Sequence, residues 1–268
     1  MLCRRIGVFD SGVGGLTVLR AIREALPDEH IVYFGDTARM PYGDKEPEQI
    51  IAYARQITDY LISRGAQVVA AACNTSSALA LPVIGRDFDV PLIGMIECGA
   101  AAAARASTQG RIGVMATANT VRSGAYARAM AARAPGAYII QQACPLLVPM
   151  VERGEVEGPD IRRALEGYVT PLLEAGVDAI VYGCTHYPFL HREMRSIVGD
   201  DVALVDPARE VAAEVRKVAE GLGGKCGSET AAVEFVTSGD PEEFAAVASS
   251  LLRQEIAQVS KADLGGQS

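Results

Sequence analysis

Two short stretches hold residue types that can do chemistry together. In "VYGCTHYPFL" (181–190) an apolar run enters Gly183 and is followed at once by Cys184, Thr185 and His186. In "VVAAACNTSS" (68–77) the same shape recurs, with Cys73, Asn74 and Thr75 after the apolar run. A single buried cysteine is ordinarily a small core residue. Two cysteines at matching places, each followed by hydrogen-bonding side chains, point instead to a joint role. Metal binding fits poorly: Cys73, Cys184 and His186 supply three soft ligands, whereas structural zinc takes four with closely spaced pairs, and no metal is expected. A hydrolase with one cysteine nucleophile and His186 as base would leave the second thiol idle. Two thiols on opposite sides of a substrate suit a different task. One removes a proton, the other delivers one to the opposite face, and a stereocentre is inverted. A thiol titrates near 8.5 and must be brought down to act as a base near neutral pH. A helix N-terminus, backbone N–H groups or a nearby imidazolium can each do that. His186 is placed by sequence to serve Cys184. Asp10 is the matching candidate proton partner at Cys73, although its charge would raise a thiol's pKa rather than lower it.

Two further motifs sit at strand ends. "FDSGVGGLT" (9–17) packs three glycines between an apolar strand and a helix. The G-x-G-x-x-G spacing of a dinucleotide loop and the G-K-[ST] of a phosphate loop are both absent. A tight strand-to-helix turn remains open as an explanation. Asp10 and Ser11 at the strand end favour a carboxylate and a hydroxyl aimed into a cleft. "MPYGDK" (40–45) reads on its own as a turn. Cys3, Cys98, Cys144 and Cys226 lack neighbours of this kind, with Cys98 and Cys144 read as packing. His30 and His191 read as surface residues without a role.

The elements that must position these groups follow from the hydrophobic pattern. "IGVF" (6–9), "IVYF" (31–34), "VVAAA" (68–72) and "PLIGM" (91–95) are uninterrupted apolar runs, whereas 16–26 and 48–65 carry apolar residues at helical spacing. Apolar strands alternating with helices specify a parallel sheet covered on both faces. The pattern then repeats in order. "IGVFDS" (6–11) resembles "IGVMAT" (112–117), "IVYFGD" (31–36) aligns with "AYIIQQ" (137–142), "QVVAAACNT" (67–75) with "DAIVYGCTH" (178–186), and "DVPLIGM" (89–95) with "DVALVDP" (201–207). The expected fold is therefore α/β: two similar lobes, each a mainly parallel sheet flanked by helices, with the active site in the cleft between them. The first lobe is expected to comprise 1–97 plus 208–268, carrying Asp10 and Cys73, and the second 98–207, carrying Cys184 and His186. Ligands bind at the carboxyl ends of parallel strands, which would bring both thiols to one cleft. After Pro207 a helix, a short strand in "AVEFVTS" and a last helix are expected to pack back on the first lobe, with a frayed tail from 261 onward.

Composition narrows the function classes. The chain has 268 residues, 49% hydrophobic and 22% charged, with a net charge of −8. That is a globular composition, and an acidic surface has no general attraction for nucleic acid or anionic membrane. The uncharged run 65–85 is long enough for a membrane span but contains Gln67, Asn74, Thr75, Ser76, Ser77 and Pro82, so a strand, turn and helix are expected there. The first residues enter a strand pattern directly, no export signal is expected, and the six cysteines are read as free thiols in the cytoplasm.

With these residues in place the chain resembles the cofactor-independent aspartate/glutamate racemase family. The resemblance runs through "IGVFDSGVGGLTVL", "YFGDTARMPYG", "CNTSSA", "GMIECGA", "SGAY", "CPLLVPMVERGE" and "GCTHYPFL", in that order. It implies two-base interconversion of L- and D-glutamate without pyridoxal phosphate or any other cofactor. It also implies a cytoplasmic role in supplying D-glutamate for peptidoglycan, and a homodimer. Carried over by position, Cys73 acts on the D-enantiomer and Cys184 on the L-enantiomer, assisted by Asp10 and His186. Ser11, Tyr42, Gly43, Asn74, Thr75, Thr117, Thr120 and Thr185 match positions that hold the substrate's carboxylates and amino group, and Glu152 matches a further acidic residue near the cleft. Ser76, Cys98 and Ala116 depart from the family's usual alanine, proline and glycine. An aspartate racemase of the same family and a two-lobed amino-acid-binding protein are the alternative readings.

Overall fold

The computed structural model describes residues 4–222 and 231–264; Cys3 and Cys226 lie outside them. The first half of the chain runs β1 (Arg5–Asp10), α1 (Leu16–Ala25), β2 (His30–Gly35), α2 (Pro47–Ser63), β3 (Val68–Ala71), α3 (Asn74–Leu79), α4 (Leu81–Ile84), β4 (Leu92–Gly94) and α5 (Met95–Ala106). The second runs β5 (Arg111–Ala116), α6 (Ala118–Ser123), α7 (Ala125–Arg133), β6 (Tyr138–Ala143), α8 (Leu147–Glu152), α9 (Pro159–Glu174), β7 (Ala179–Gly183), α10 (His191–Val198) and β8 (Ala203–Val205). The chain then continues through α11 (Ala208–Gly221), β9 (Val233–Thr237), α12 (Pro241–Leu252) and β10 (Val259–Lys261).

These strands form two sheets, ordered β10-β9-β2-β1-β3-β4 and β6-β5-β7-β8. The shared order β2-β1-β3-β4 and β6-β5-β7-β8 is the internal repeat in three dimensions. Its register repeats as well: Ile6 pairs with Ile31 and Val68, and Ile112 with Ile139 and Ala179, all in parallel ladders. The fold is α/β, as the alternating pattern specifies.

Strand residues divide strictly between two cores, which explains the absence of polar alternation. Ile6, Val8, Ile31, Tyr33, Val68 and Ala70 pack to one side of the first sheet, with α1 and α11. Phe9, Val32, Phe34, Val69 and Ala71 pack to the other, with α2. In the second sheet Ile180, Tyr182 and Cys184 face one core and Ala179 and Val181 the other. Both faces of the inner strands are thus dry, the condition that selects continuous apolar strands, while the outer β6, β9 and β10 are partly exposed.

The segment after Pro207 returns to the first sheet: β9 pairs with β2, and β10 with β9. Residues 261–264 of the tail depart from the frayed expectation, and 265–268 lie outside the described residues. Lys261 belongs to β10, Ala262 is buried, and Leu264 packs on the first-sheet core. The uncharged run 65–85 folds as β3, α3 and α4, and among the described residues no helix is long and apolar enough to cross a membrane.

Candidate active site

In both sheets the parallel strands end on the same side, and their first residues past the ladder carry the chemistry. Cys73 follows β3 and occupies the N-cap of α3, where its sulfur accepts the Ser76 N–H at 3.5 Å. Cys184 follows β7 directly. Thr117 follows β5 and caps α6, its hydroxyl accepting the Thr120 N–H at 3.3 Å. Ser11, Tyr42, Gly43, Cys73, Asn74 and Thr75 from the first half line one cavity with Thr117, Cys184, Thr185 and His186 from the second. Three of the expected residues stand behind that wall: Asp10, Thr120 and Glu152. Each is tied to a residue that does line it.

The second-sheet thiol is backed by a relay. Cys184 Sγ lies 3.6 Å from His186 Nδ1, and His186 Nε2 lies 2.6 Å from Glu152 Oε1. The carboxylate only accepts, so Nε2 carries the proton in that bond. Burial draws the His186 imidazole downward. Its hydrogen bonds to Cys184 and Glu152 and their charges outweigh burial and lift it well above the usual histidine range. His186 is therefore a charged group held beside a thiol, able to exchange a proton with it.

The first-sheet thiol has a different setting. Burial first, and the Asp10 charge second, push Cys73 up to about 12, against the opposing effect of the Ser76 hydrogen bonds. Its Sγ lies 3.9 Å from Ser11 Oγ. Asp10 is fully buried, and burial raises its carboxyl in spite of the nearby His186 charge. Asp10 spends its oxygens on the Gly12 N–H at 3.0 Å and, across the cleft, on the Thr185 hydroxyl at 3.2 Å.

The three glycines of "FDSGVGGLT" now have a reason. None of the three has a positive φ; each is a glycine because something else occupies the space of a side chain. A Cβ on Gly12 would lie 2.7 Å from Glu152 Oε1, one on Gly14 2.5 Å from His186 Nδ1, and one on Gly15 2.6 Å from Asp10 Cβ. The loop does not cradle a phosphate. It lets the His186 relay and Asp10 approach the backbone.

Further bonds cross between the halves around the cavity. Thr75 and Thr117 hydroxyls meet at 2.9 Å, and both contact Thr120 Oγ1, at 3.2 and 3.0 Å. Asn119 donates to the Tyr42 and Lys45 carbonyls at 2.9 and 2.8 Å, clamping the "MPYGDK" segment, whose Tyr42–Asp44 turn is a 3-10 helix. Tyr42 itself donates to Asp36.

Several residues depart from the sequence reading. Cys144, read as packing, does belong to the second-sheet core, and it also lines the cavity with Pro145 and Pro149. It follows β6 as Cys184 follows β7, a position the repeat could have flagged. Cys98 packs beneath the first-sheet core as expected. The described cysteines are free thiols. His191 is exposed and bonded to the Tyr182 hydroxyl at 3.0 Å, whereas His30 is half-buried at the start of β2. Asp36 and Asn119, which hold the Tyr42 turn, carried no local signal: Asp36 meets Tyr42 six residues on, a spacing that neither helix nor strand brings into contact, and the Asn119 partners are distant backbone carbonyls.

Comparison with known proteins is consistent with this geometry. The model of a family described as Asp/Glu/hydantoin racemase matches residues 6–215. A glutamate racemase of Desulforudis audaxviator is 45% identical over 260 residues, covering 93% of this chain and 94% of that protein. The crystal structure of a glutamate racemase from Bacillus anthracis superposes with a TM-score of 0.92 at 32% identity, covering 97% of this chain and 98% of that one. A Francisella tularensis glutamate racemase, solved in complex with D-glutamate, superposes at 0.89 with 31% identity over 97% and 98% of the two chains.

Proposed function

The chain belongs to the Asp/Glu/hydantoin racemase family and is an isomerase, and on that premise we propose that it interconverts L- and D-glutamate by proton transfer between Cys73 and Cys184. The observation that supports this reading most is the pair of thiols at equivalent strand ends of two repeated sheets, lining one cavity. Residues 1–97 with 208–268, and 98–207, are read as the two lobes that bring them together.

In the L-to-D direction the Cys184 thiolate, beside the His186 imidazolium, takes the Cα proton. The electron pair of the broken C–H bond passes onto Cα and into the α-carboxylate. Cys73, which burial keeps protonated, gives its proton to the opposite face. The products are D-glutamate, a Cys73 thiolate and a protonated Cys184, the form that takes D-glutamate in reverse. Donors aimed at the α-carboxylate stabilise the developing charge; Ser11, Asn74, Thr75, Thr117 and Thr185 are assigned that work, with Tyr42 and Gly43 at the side-chain carboxylate. Thr120 steadies the hydroxyls of Thr75 and Thr117. Asp10 and Glu152 act through Thr185 and His186. No cofactor enters the scheme. We place the activity in the cytoplasm, in a homodimer, feeding D-glutamate to peptidoglycan synthesis.

The test is circular dichroism of L-glutamate, then D-glutamate, with reduced protein and no added cofactor. The expected result is decay of the signal to zero from both sides, stopped by Cys73→Ala or Cys184→Ala. Racemisation of aspartate but not glutamate would overturn the substrate. A Cys73→Ala or Cys184→Ala variant that still racemises would overturn the two-thiol scheme.

A further inference from the structure

The "SGAY" stretch has no part in the scheme above, yet its tyrosine reaches the cavity wall. Tyr126, on α7, is fully buried, and its hydroxyl donates to Asn74 Oδ1 at 2.8 Å. Asn74 is the first residue of α3, so the bond spans the two halves of the chain. Asn74 lines the cavity and is buried, and its Nδ2 has no hydrogen-bond partner among the described residues. A buried amide N–H pair without a partner is costly, and here the residue that carries it borders the cavity of the two thiols.

We propose that Tyr126 is a positioning residue that fixes the Asn74 amide with its oxygen turned away from the cavity and its N–H pair turned in, as a donor for a substrate carboxylate oxygen; this rests on the reading of the site as one for an amino acid. An asparagine amide can be flipped end for end with little change of shape. Flipped, it would present an oxygen to the ligand and repel a carboxylate. The phenol decides between the two. Burial, with the Cys98 charge second, holds Tyr126 well above the usual tyrosine range, so the hydroxyl keeps its proton and needs an acceptor, which Asn74 Oδ1 supplies. Gly99 on α5 leaves the room: a Cβ there would lie 2.7 Å from the Tyr126 hydroxyl oxygen.

The test is a double-mutant cycle joined to a measurement on the free protein. Tyr126→Phe keeps the ring and deletes the hydroxyl. Its KM for both enantiomers is expected to rise about tenfold, the ratio equivalent to one ordinary hydrogen bond, with kcat changed less than about threefold. In an Asn74→Ala background the same change is expected to add nothing, because its target is gone. Effects that multiply instead would make Tyr126 a packing residue and overturn the inference. In a ¹⁵N–¹H spectrum of the free protein, the side-chain amide pair missing from Asn74→Ala identifies Asn74, and that pair is expected to shift in Tyr126→Phe. If it does not move, the bond is absent and the inference fails whatever the substrate. If it moves while wild-type protein leaves glutamate unchanged, the proposed function fails and the positioning role stands.

Discussion

Replacing Glu152 by Gln isolates the charge behind the His186 relay. The two side chains have the same shape, and Gln Oε1 can still accept from Nε2–H, so neither the close contact with Gly12 nor the ring's orientation has cause to change. What is lost is the carboxylate's charge at 2.6 Å from a buried imidazole, the Glu152 side chain itself being only 14% exposed. A hydrogen bond to a charged group contributes about 1.5–3 kcal/mol, so the loss in kcat/KM is expected at about 10- to 100-fold. Glutamate's enantiomers have equal free energy. The two directions must therefore lose kcat/KM equally, an internal check on the assay. The pH profile adds a sign. His186 is lifted above its ordinary range partly by Glu152, and a raised folded pKa gives stability present below the unfolded value and lost as pH rises through the folded one. Without the carboxylate, the alkaline limb of kcat/KM is expected at lower pH. Initial rates by circular dichroism across the pH range, in both directions, measure both quantities. A variant within about twofold of wild type, with an unmoved alkaline limb, would refute the claim that Glu152 acts through the charge of His186.

Further outcomes follow from the same geometry. Gly14→Ala puts a methyl 2.5 Å from both His186 Nδ1 and Thr185 Oγ1; it is expected to destabilise by about 1–3 kcal/mol, read as a lower thermal midpoint, and to cut kcat, whereas full activity would show that the loop yields freely. Cys73 has a folded pKa near 12, above its unfolded value. Its contribution to stability is therefore present below the unfolded pKa and declines as pH climbs toward the folded one, by about 1.4 kcal/mol per pH unit in that window. Urea midpoints between those pH values should fall faster for wild type than for Cys73→Ala, and parallel slopes would contradict the burial argument. Asp178 is raised by burial but brought down to about 2 by hydrogen bonds from Ser107, Gln109, Thr108 and Arg111. Asp178→Asn is expected to cost about 1–3 kcal/mol at neutral pH, and less as pH falls below the unfolded carboxyl value, as measured by urea denaturation.

The sequence disclosed whatever depends on neighbours along the chain. The inner strands were legible because both their faces are buried, which removes polar alternation and leaves runs such as "VVAAA" uninterrupted. The repeat was legible because the same order is built twice, and it carried Cys73 and Cys184 to one cleft without further information. What escaped depends on approach between distant residues. Cys144 ends β6 as Cys184 ends β7, but "QQACP" supplies no polar neighbour beyond it to mark a site. Asn119 acts on a turn far away in sequence, and Asp36 meets Tyr42 at a six-residue spacing that neither helix nor strand brings into contact. Glu152 entered only through family resemblance, since nothing near "VERGE" points to a histidine. The glycine loop lies between these cases. Its spacing set aside a phosphate or dinucleotide loop, but left both a tight turn and a cleft-facing Asp10 and Ser11 open. Only the identity of what each missing side chain would strike tells them apart: Glu152 at Gly12, His186 at Gly14, Asp10 at Gly15. Two of the three positions in this first-half turn are thus shaped around Glu152 and His186 of the second half. A substitution at Gly12 or Gly14 should therefore disturb Cys184, which lies in the other half of the chain, before it disturbs Cys73, whereas one at Gly15 meets Asp10 first.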